Sequence, residues 1–158
     1  MADHDDWSGR AKLAAQWLYD ALSVVDLGCG SMTLEKYLRP EQSYLPVDLA
    51  RRDSRTVVLD LNSEQDLQRL PAGGAAAILG VLEYSYDAPL LLMRLRTCYA
   101  NIVISFNVAS DSNLAARESH GWVVHYNREE LLRAFHEAGF SVARECLVGH
   151  DQFLFQLH

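Results

Sequence analysis

The sequence is poor in cysteine, in basic residues and in long apolar runs, and each scarcity narrows what the protein can be. Its three cysteines, Cys29, Cys98 and Cys146, are widely spaced and form no C-x-x-C pair, which fits a reducing cytoplasm rather than a disulfide framework. No apolar run approaches the roughly 20 residues of a membrane span. The acidic start, residues 2–6, is unlike a signal peptide. We therefore predict a soluble, cytoplasmic protein that has no membrane partner.

Basic residues are outnumbered, because 14 Lys and Arg stand against 21 Asp and Glu and the formal charge is −7. Nucleic-acid binding relies on clustered Lys and Arg, and the two basic clusters here, residues 51–55 and 94–96, are short and interrupted. We therefore expect a small-molecule partner and no nucleic acid. With 158 residues, 49% of them hydrophobic, the chain is long enough for a single domain, residues 1–158, around one core.

Two catalytic signatures are also absent from the sequence. It contains no Gly-x-Ser-x-Gly elbow, which argues against the serine hydrolases that use one. Its six histidines form no pair at ligand spacing with a carboxylate or thiol partner, although His120 and His125 lie five residues apart. We therefore expect no metal.

What the sequence does contain is a regular alternation of short β-branched runs with helical patterns. The predicted strands are residues 23–27, 43–47, 56–59, 75–82, 101–106, 140–148 and 152–157. The predicted helices are residues 7–22, 34–38, 64–70, 88–98 and 128–138. Such alternation is typical of an α/β fold in which helices cover both faces of a parallel sheet, and the last two strands read as a hairpin. Residues 107–126 have no clean period, so we expect a lid or binding loop there.

Small and acidic residues follow the first three strands, where ligands of parallel sheets bind. Residues 28–30 form a glycine-rich turn that lets a ligand approach the main chain. Asp48 ends the second strand about twenty residues later, where a carboxylate can accept from ribose hydroxyls, and Asp60 ends the third. A dinucleotide fingerprint would need glycine where the sequence has Thr33. The remaining alternative is a structural turn beside a solvated aspartate.

In their order and spacing, these motifs resemble those of the class I, Rossmann-like S-adenosylmethionine-dependent methyltransferases. The resembling segments are residues 24–30, 45–48, 58–61 and 79–84, the Gly139-Phe140 pair after a helix, and the closing hairpin. The resemblance implies a parallel sheet of five strands that a C-terminal antiparallel hairpin extends to seven. It also implies S-adenosylmethionine as the methyl donor and S-adenosylhomocysteine as the product.

The resemblance further implies which residues bind the cofactor. Gly28 and Gly30 would lie against its methionine moiety, with Asp26 near the amino group, while Asp48 would hold the ribose and Asp60 the adenine. The full implied set is Asp26, Gly28, Cys29, Gly30, Asp48, Leu49, Asp60, Leu61, Gly80, Val81 and Leu82. Many members have a small residue where this sequence has Met32, which would either narrow the site or pack under the following helix.

The methyl acceptor is less well defined by the sequence. Members of the family that act on planar nitrogen use an Asn/Asp-Pro-Pro-Tyr/Phe motif, which is absent here, so we favour O-methylation of a small or medium-sized metabolite. Glu83, His120 and His125 are the candidate general bases, and residues 107–126 are the candidate acceptor-side loop.

The alternatives to such an enzyme are a non-catalytic cofactor-binding module on the same fold and a nicotinamide-dependent enzyme. A second copy or a partner chain could close the site of so short a chain.

Overall fold

The computed structural model describes residues 4–158, with side chains from residue 8 onward. The strands are β1 (Ser23–Leu27), β2 (Ser43–Asp48), β3 (Val57–Val58), β4 (Ala75–Leu79), β5 (Ile102–Asn107), β6 (Val142–Leu147) and β7 (Gln152–Leu157). The α-helices are α1 (His4–Trp17), α2 (Glu64–Leu67), α3 (Ala88–Cys98), α4 (Leu114–Ser119) and α5 (Arg128–Glu137). None of the described helices is long and apolar enough to cross a membrane.

All seven strands form one sheet in the order β3-β2-β1-β4-β5-β7-β6. The first five pair in parallel, whereas β7 runs antiparallel between β5 and β6. Leu27 of β1 lies level with Val47 of β2 and Ile78 of β4. Because the strand order reverses between β1 and β4, a crevice opens at their carboxyl ends. The predicted fold, five parallel strands closed by a C-terminal antiparallel hairpin, is confirmed.

The sheet has a buried apolar core on each of its faces. Successive residues of a strand point to opposite faces, so Ile104 and Phe155 face α3 and α5 while Val103 and Leu154 face α1. The strands therefore read as unbroken hydrophobic runs, because both sides of the central sheet are covered. Layers on both faces leave the carboxyl edge of the sheet as the open place for a ligand.

Local capping signals set several helix boundaries. The Asn127 side chain accepts from the backbone amide of Glu130, whose own side chain accepts from the Asn127 amide, and this reciprocal pair begins α5 as predicted. Ser63 caps α2 through a single bond, because its hydroxyl accepts from the Asp66 amide. Gly139, at a φ of 90°, follows the end of α5.

Several predicted boundaries were wrong. The fourth strand ends at Leu79 rather than at residue 82, because Gly80 turns away at a φ of 69° and a 3₁₀ turn, Leu82–Tyr84, follows. The first helix ends at Trp17 rather than at residue 22. The third strand has two residues, Val57–Val58, rather than the predicted residues 56–59. The helix predicted for residues 34–38 is one 3₁₀ turn, Leu34–Tyr37. Residues 107–126 contain a helix, α4, that is too short to produce a recognisable period.

Candidate functional site

The turn after β1 has a backbone that few residues other than glycine adopt. Gly28 has a φ of 74° and Gly30 a φ of 51°. The amides of Gly28 and Cys29 donate to the Val47 carbonyl at 2.8 and 3.0 Å, so the turn is tied to the end of β2. A side chain at position 28 would overlap Val81, whereas a Cβ at position 30 would meet nothing within 4 Å. At Gly28 and Gly30 the turn therefore presents bare main chain to the crevice.

Met32 also has a positive φ, 56°, in the same turn. Its amide donates to the Cys29 carbonyl at 2.8 Å, and its sulfur lies 4.0 Å from an Arg55 guanidinium nitrogen. The Met32 side chain therefore contacts an exposed arginine and is absent from the walls of the two cavities described below. Met32 therefore does not narrow the site, and its positive φ explains why glycine would suit this backbone.

Asp48 ends β2 beneath this turn and is almost fully buried. One carboxylate oxygen accepts from the Gly30 amide at 2.9 Å, and the other accepts from the Ala50 amide at 3.0 Å and from Arg52 Nη2 at 3.1 Å. Burial raises the pKa of Asp48, but the Ala50 and Gly30 amides and Arg52 outweigh it, and the net pKa lies below its ordinary value. Asp48 is thus an ionised acceptor that faces the glycine turn.

Asp26, on β1, is the second buried carboxylate of the site. It accepts a hydrogen bond from the Tyr44 hydroxyl at 2.7 Å. Burial raises the pKa of Asp26 to about 6, against the opposing effects of the Tyr44 hydrogen bond and of the Arg10 charge. The group therefore changes its charge close to physiological pH.

Arg10 of α1 reaches into the same crevice, although the sequence argument did not identify it. Its guanidinium lies against Gly80, where an added Cβ would be 3.0 Å from Nη1. Burial lowers the pKa of Arg10, while the nearby charges of Glu83 and Asp26 raise it. The available signal was an arginine beside the alanines of the packed face of α1, Ala11 and Ala14, since a cation in such a place is a candidate for contact with buried anionic groups.

Two adjoining cavities occupy the crevice at the carboxyl edge. The larger, of about 590 Å³, extends from the glycine turn and Asp48 past Arg10 to Trp122. The smaller, of about 150 Å³, is a more apolar slot whose walls include Leu59, Asp60, Leu61 and Asn62. Gly28, Asp48, Leu49, Val81 and Tyr84 line both cavities. Together they form one elongated site.

Most of the predicted cofactor residues are in the walls of this site. Asp26, Cys29, Gly30 and Gly80 line the larger cavity in addition to the shared residues, and Asp60 and Leu61 line the smaller. Leu82 is the exception, because its side chain is buried in the core between the sheet and α3. The residues predicted from the sequence to bind the cofactor therefore form one contiguous set in the cavity walls, except Leu82, which lies in the core behind them.

Asn62 also belongs to the site, although the sequence argument passed over it. Its amide donates to Asp60 Oδ1 at 2.9 Å, its side-chain nitrogen donates to the Tyr84 carbonyl at 3.1 Å, and its side-chain oxygen accepts from the Tyr86 amide at 2.8 Å. Asn62 thereby joins the loops after β3 and β4. Its place directly after Asp60 and Leu61 was the only sequence signal.

Glu83 does not face either cavity. One of its carboxylate oxygens accepts from the backbone and side-chain nitrogens of Asn107 at 2.8 and 3.0 Å, and its carbonyl accepts from the Val123 and Val124 amides. Burial raises the pKa of Glu83, opposed chiefly by these Asn107 hydrogen bonds. Its observed contacts join the loop after β4, the end of β5 and the segment after α4.

His120 and His125 are exposed and line neither cavity. The His120 ring lies 4.9 Å from the Trp122 ring, and His125 Nδ1 accepts from Arg117 Nε at 3.3 Å. Trp122, Asn107 and Gln152 line the larger cavity instead. The general-base role of these histidines and of Glu83 stays a prediction, and the geometry brings none of the three to the cavity wall.

Metal ligands do not converge in the described part of the chain. Among residues 8–158, whose side chains the structure describes, no group of three or more His, Cys, Asp or Glu could hold a metal ion. The acidic residues of the site, Asp26 and Asp48, instead bond to a tyrosine and to main-chain and arginine donors.

The chain matches no protein-family model and no curated protein, but it does match solved structures. The N-terminal domain of EvdMO1 with S-adenosylhomocysteine bound matches with a TM-score of 0.69 and 16% identity, over 98% of this chain and 80% of that one. Magnesium protoporphyrin IX methyltransferase from Synechocystis PCC 6803, also with S-adenosylhomocysteine bound, matches with a TM-score of 0.72 and 14% identity, over 97% of this chain and 83% of that one. A complex containing the Haloferax volcanii Trm112 methyltransferase activator gives 0.73 and 14%, over 97% and 89%. The TM-scores of 0.69 to 0.73 establish a shared fold.

Proposed function

We propose that this chain, which has the class I methyltransferase fold, transfers a methyl group from S-adenosylmethionine to a small or medium-sized metabolite. The observation that carries the proposal is the pairing of the positive-φ glycine turn with the ionised, buried Asp48 at one edge of the sheet. Further support is that two solved structures of this fold hold S-adenosylhomocysteine. The larger cavity also lies within the usual 300–1,000 Å³ of small-molecule sites.

The residues present fit the cofactor. The open space at Gly30 allows a methionine moiety against the main chain, and Asp26 can accept from its ammonium group. Asp48 can accept from the ribose hydroxyls, because Arg52 is half exposed and can move away from the shared oxygen. The apolar slot between Leu59 and Leu61 suits an adenine ring, with Asp60 as acceptor for its amino group.

The bound cofactor would supply a methyl group that is already activated, so the protein has to orient the acceptor and exclude water. The larger cavity is also lined by Asn107, Trp122 and Gln152, which are polar or aromatic side chains without a charge. Amide side chains can hydrogen-bond a hydroxyl and an indole can cover an apolar ring. We propose a neutral, hydroxyl-bearing acceptor and O-methylation by in-line displacement, in which the acceptor oxygen would gain the methyl group as its bond to sulfur breaks, and the hydroxyl proton would pass to solvent.

Calorimetric titration with S-adenosylhomocysteine, with NADH as the control ligand, tests the donor site. We expect micromolar binding of the first and none of the second, because the site lacks the third glycine of a dinucleotide fingerprint. Binding of NADH alone would support the nicotinamide alternative. Binding of neither would reject the proposed function.

A second candidate function is a non-catalytic cofactor-binding module on the same fold. The observation that favours it is that Glu83, His120 and His125 all lie outside the cavity walls, so none of the predicted bases faces an acceptor. An assay of S-adenosylhomocysteine release with a panel of hydroxyl-bearing acceptors separates the two functions. Turnover with any acceptor selects the enzyme, whereas tight binding without turnover selects the module.

We also propose that a second copy or a partner chain covers the mouth of the site. The support is that Leu49, Tyr84 and Tyr86 around the mouth are exposed by 69%, 46% and 81%. Light scattering of the active protein checks this proposal. A monomer that is fully active on a small acceptor would contradict it.

A further inference from the structure

Positive charge is scarce in the larger cavity. Among the described residues that line it, the cations are Arg10 and Arg52. Arg52 belongs to the ribose end, because it donates to Asp48 at 3.1 Å. Arg10 belongs to the opposite end, because its guanidinium lies against Gly80 and close to the charge of Asp26. The two cations therefore serve different parts of an elongated ligand.

The proposed ligand needs a cation at the Arg10 end. Its methionine moiety has an ammonium and a carboxylate on the same carbon atom, so an ammonium held by Asp26 brings the carboxylate within a few ångströms of that residue. The buried Glu83 adds its charge to the surroundings of Arg10. A carboxylate without a positive neighbour would be strongly disfavoured there, since repulsion between like charges grows as water is excluded.

We propose that Arg10 binds the carboxylate of the cofactor's methionine moiety, and this inference rests on the proposed function. A guanidinium suits this task because its planar N–H donors match the two oxygens of a carboxylate. Gly80 contributes by having no side chain, since an added Cβ would be 3.0 Å from Arg10 Nη1. The site thereby recognises the complete amino-acid group of its ligand.

The same assignment makes α1 a part of the binding site. Arg10 lies on α1, whose Ala14 and Leu18 pack on the sheet beside Val24. A ligand that bonds to Arg10 therefore links the N-terminal helix to the glycine turn. We expect S-adenosylhomocysteine to slow amide hydrogen exchange in α1, and decarboxylated S-adenosylhomocysteine, which keeps the amino group, to slow it less.

Calorimetry with these two ligands tests the assignment. The wild type is expected to bind S-adenosylhomocysteine about 10- to 100-fold more tightly than the decarboxylated compound, the usual range for a charged hydrogen bond. Arg10→Met is expected to remove that preference and to leave the affinity for the decarboxylated compound nearly unchanged. Arg10→Gln, which keeps donors without the charge, is a second variant, and thermal unfolding identifies which variants fold. Arg69→Met, at an exposed arginine outside the cavity, is the matched control and should keep the wild-type preference.

The outcomes separate this inference from the proposed function. Equal wild-type affinity for both compounds overturns the role of Arg10 but supports the donor site. A wild-type preference that survives in a folded, charge-free Arg10 variant likewise overturns it. Absence of binding by either compound rejects the donor site itself, and the assignment of Arg10 with it.

Discussion

Asp48 and Met32 both belong to the structure of the turn between β1 and β2, and each has an unusual environment there. Asp48 is buried, yet its pKa is lowered because two amides and Arg52 outweigh the effect of burial. Met32 has a left-handed backbone, which costs a residue with a Cβ roughly 1 kcal/mol relative to glycine. Asp48 is thus an ionised acceptor at the crevice, whereas Met32 stores backbone strain.

Asp48→Ala is expected to weaken S-adenosylhomocysteine binding by about 1–3 kcal/mol, because charge-assisted hydrogen bonds to the ribose are lost. Calorimetric titration gives the affinity. Asp53→Ala is the control, since Asp53 is an aspartate of the next loop that bonds to Arg55 outside the cavity. If Asp48→Ala kept the wild-type affinity, the ribose assignment would be wrong.

Met32→Gly is expected to stabilise the protein, because glycine adopts a φ of 56° without strain. A gain of about 1 kcal/mol corresponds to a rise of roughly 3 °C in Tm for a domain of this size. Differential scanning calorimetry measures it. A lower Tm in Met32→Gly would mean that the contact of the methionine with Arg55 is worth more than the strain.

At the scale of elements, α4 and the loop after it are held in place by one buried side chain. The Arg117 guanidinium donates to the carbonyls of Asn107 and Val124, the second at 2.6 Å, and lies 5.0 Å from the Trp122 ring. Arg117 thereby fixes the segment that carries Trp122 into the cavity wall. The order of this segment depends on a tertiary contact more than on helix propensity.

Arg117→Met is expected to lower the free energy of unfolding by about 2–4 kcal/mol, because it leaves two buried carbonyls without donors. Chemical denaturation measures the loss, and hydrogen exchange should rise first in residues 107–126. Arg128→Met removes an arginine of similar size whose ion pair with Glu145 is exposed, so it should cost less than about 1 kcal/mol. Equal losses in the two variants would contradict the role given to Arg117.

At the scale of the whole molecule, the ionisation of Asp26 links folding, binding and pH. Its pKa is about 6 in the folded chain, against an ordinary value of 3.8. The folded state therefore holds this proton more tightly than the unfolded state, and the contribution of Asp26 to stability is lost as the pH rises from about 4 to 6. Binding of an ammonium group has the opposite dependence, because it requires the ionised carboxylate.

The increase in Tm caused by S-adenosylhomocysteine is therefore expected to grow as the pH rises through the Asp26 pKa of about 6. Scanning calorimetry at pH 5, 6 and 7, with and without ligand, measures it. Asp26→Asn cannot ionise, so its smaller increase should be the same at all three pH values. If the increase in Tm of the wild type did not change with pH, Asp26 would not be the residue that binds the ammonium group.

Predictions from the sequence were most accurate where local chemistry is decisive. The strand cores, the capping box at Asn127 and the glycine turn were all recognisable, because each depends on residues close together in the chain. The limits of β3 and β4 were not, because they depend on strand pairing and on the turn at Gly80. Asp48 ends β2 and Asp60 lies two residues beyond β3, and so the sequence argument could assign both to the carboxyl edge of the sheet.

The sequence by itself thus determined the α/β fold, the order of its strands along the chain and the acidic and glycine residues of the crevice, since hydrophobic period and turn chemistry are local properties. Only the tertiary structure decided which distant side chains reach that crevice. It brings in Arg10 from the first helix, turns Glu83 away to Asn107 and leaves His120 and His125 at the surface. The physical reason is that the direction of a side chain depends on the packing of elements far apart in the chain, which no local pattern encodes.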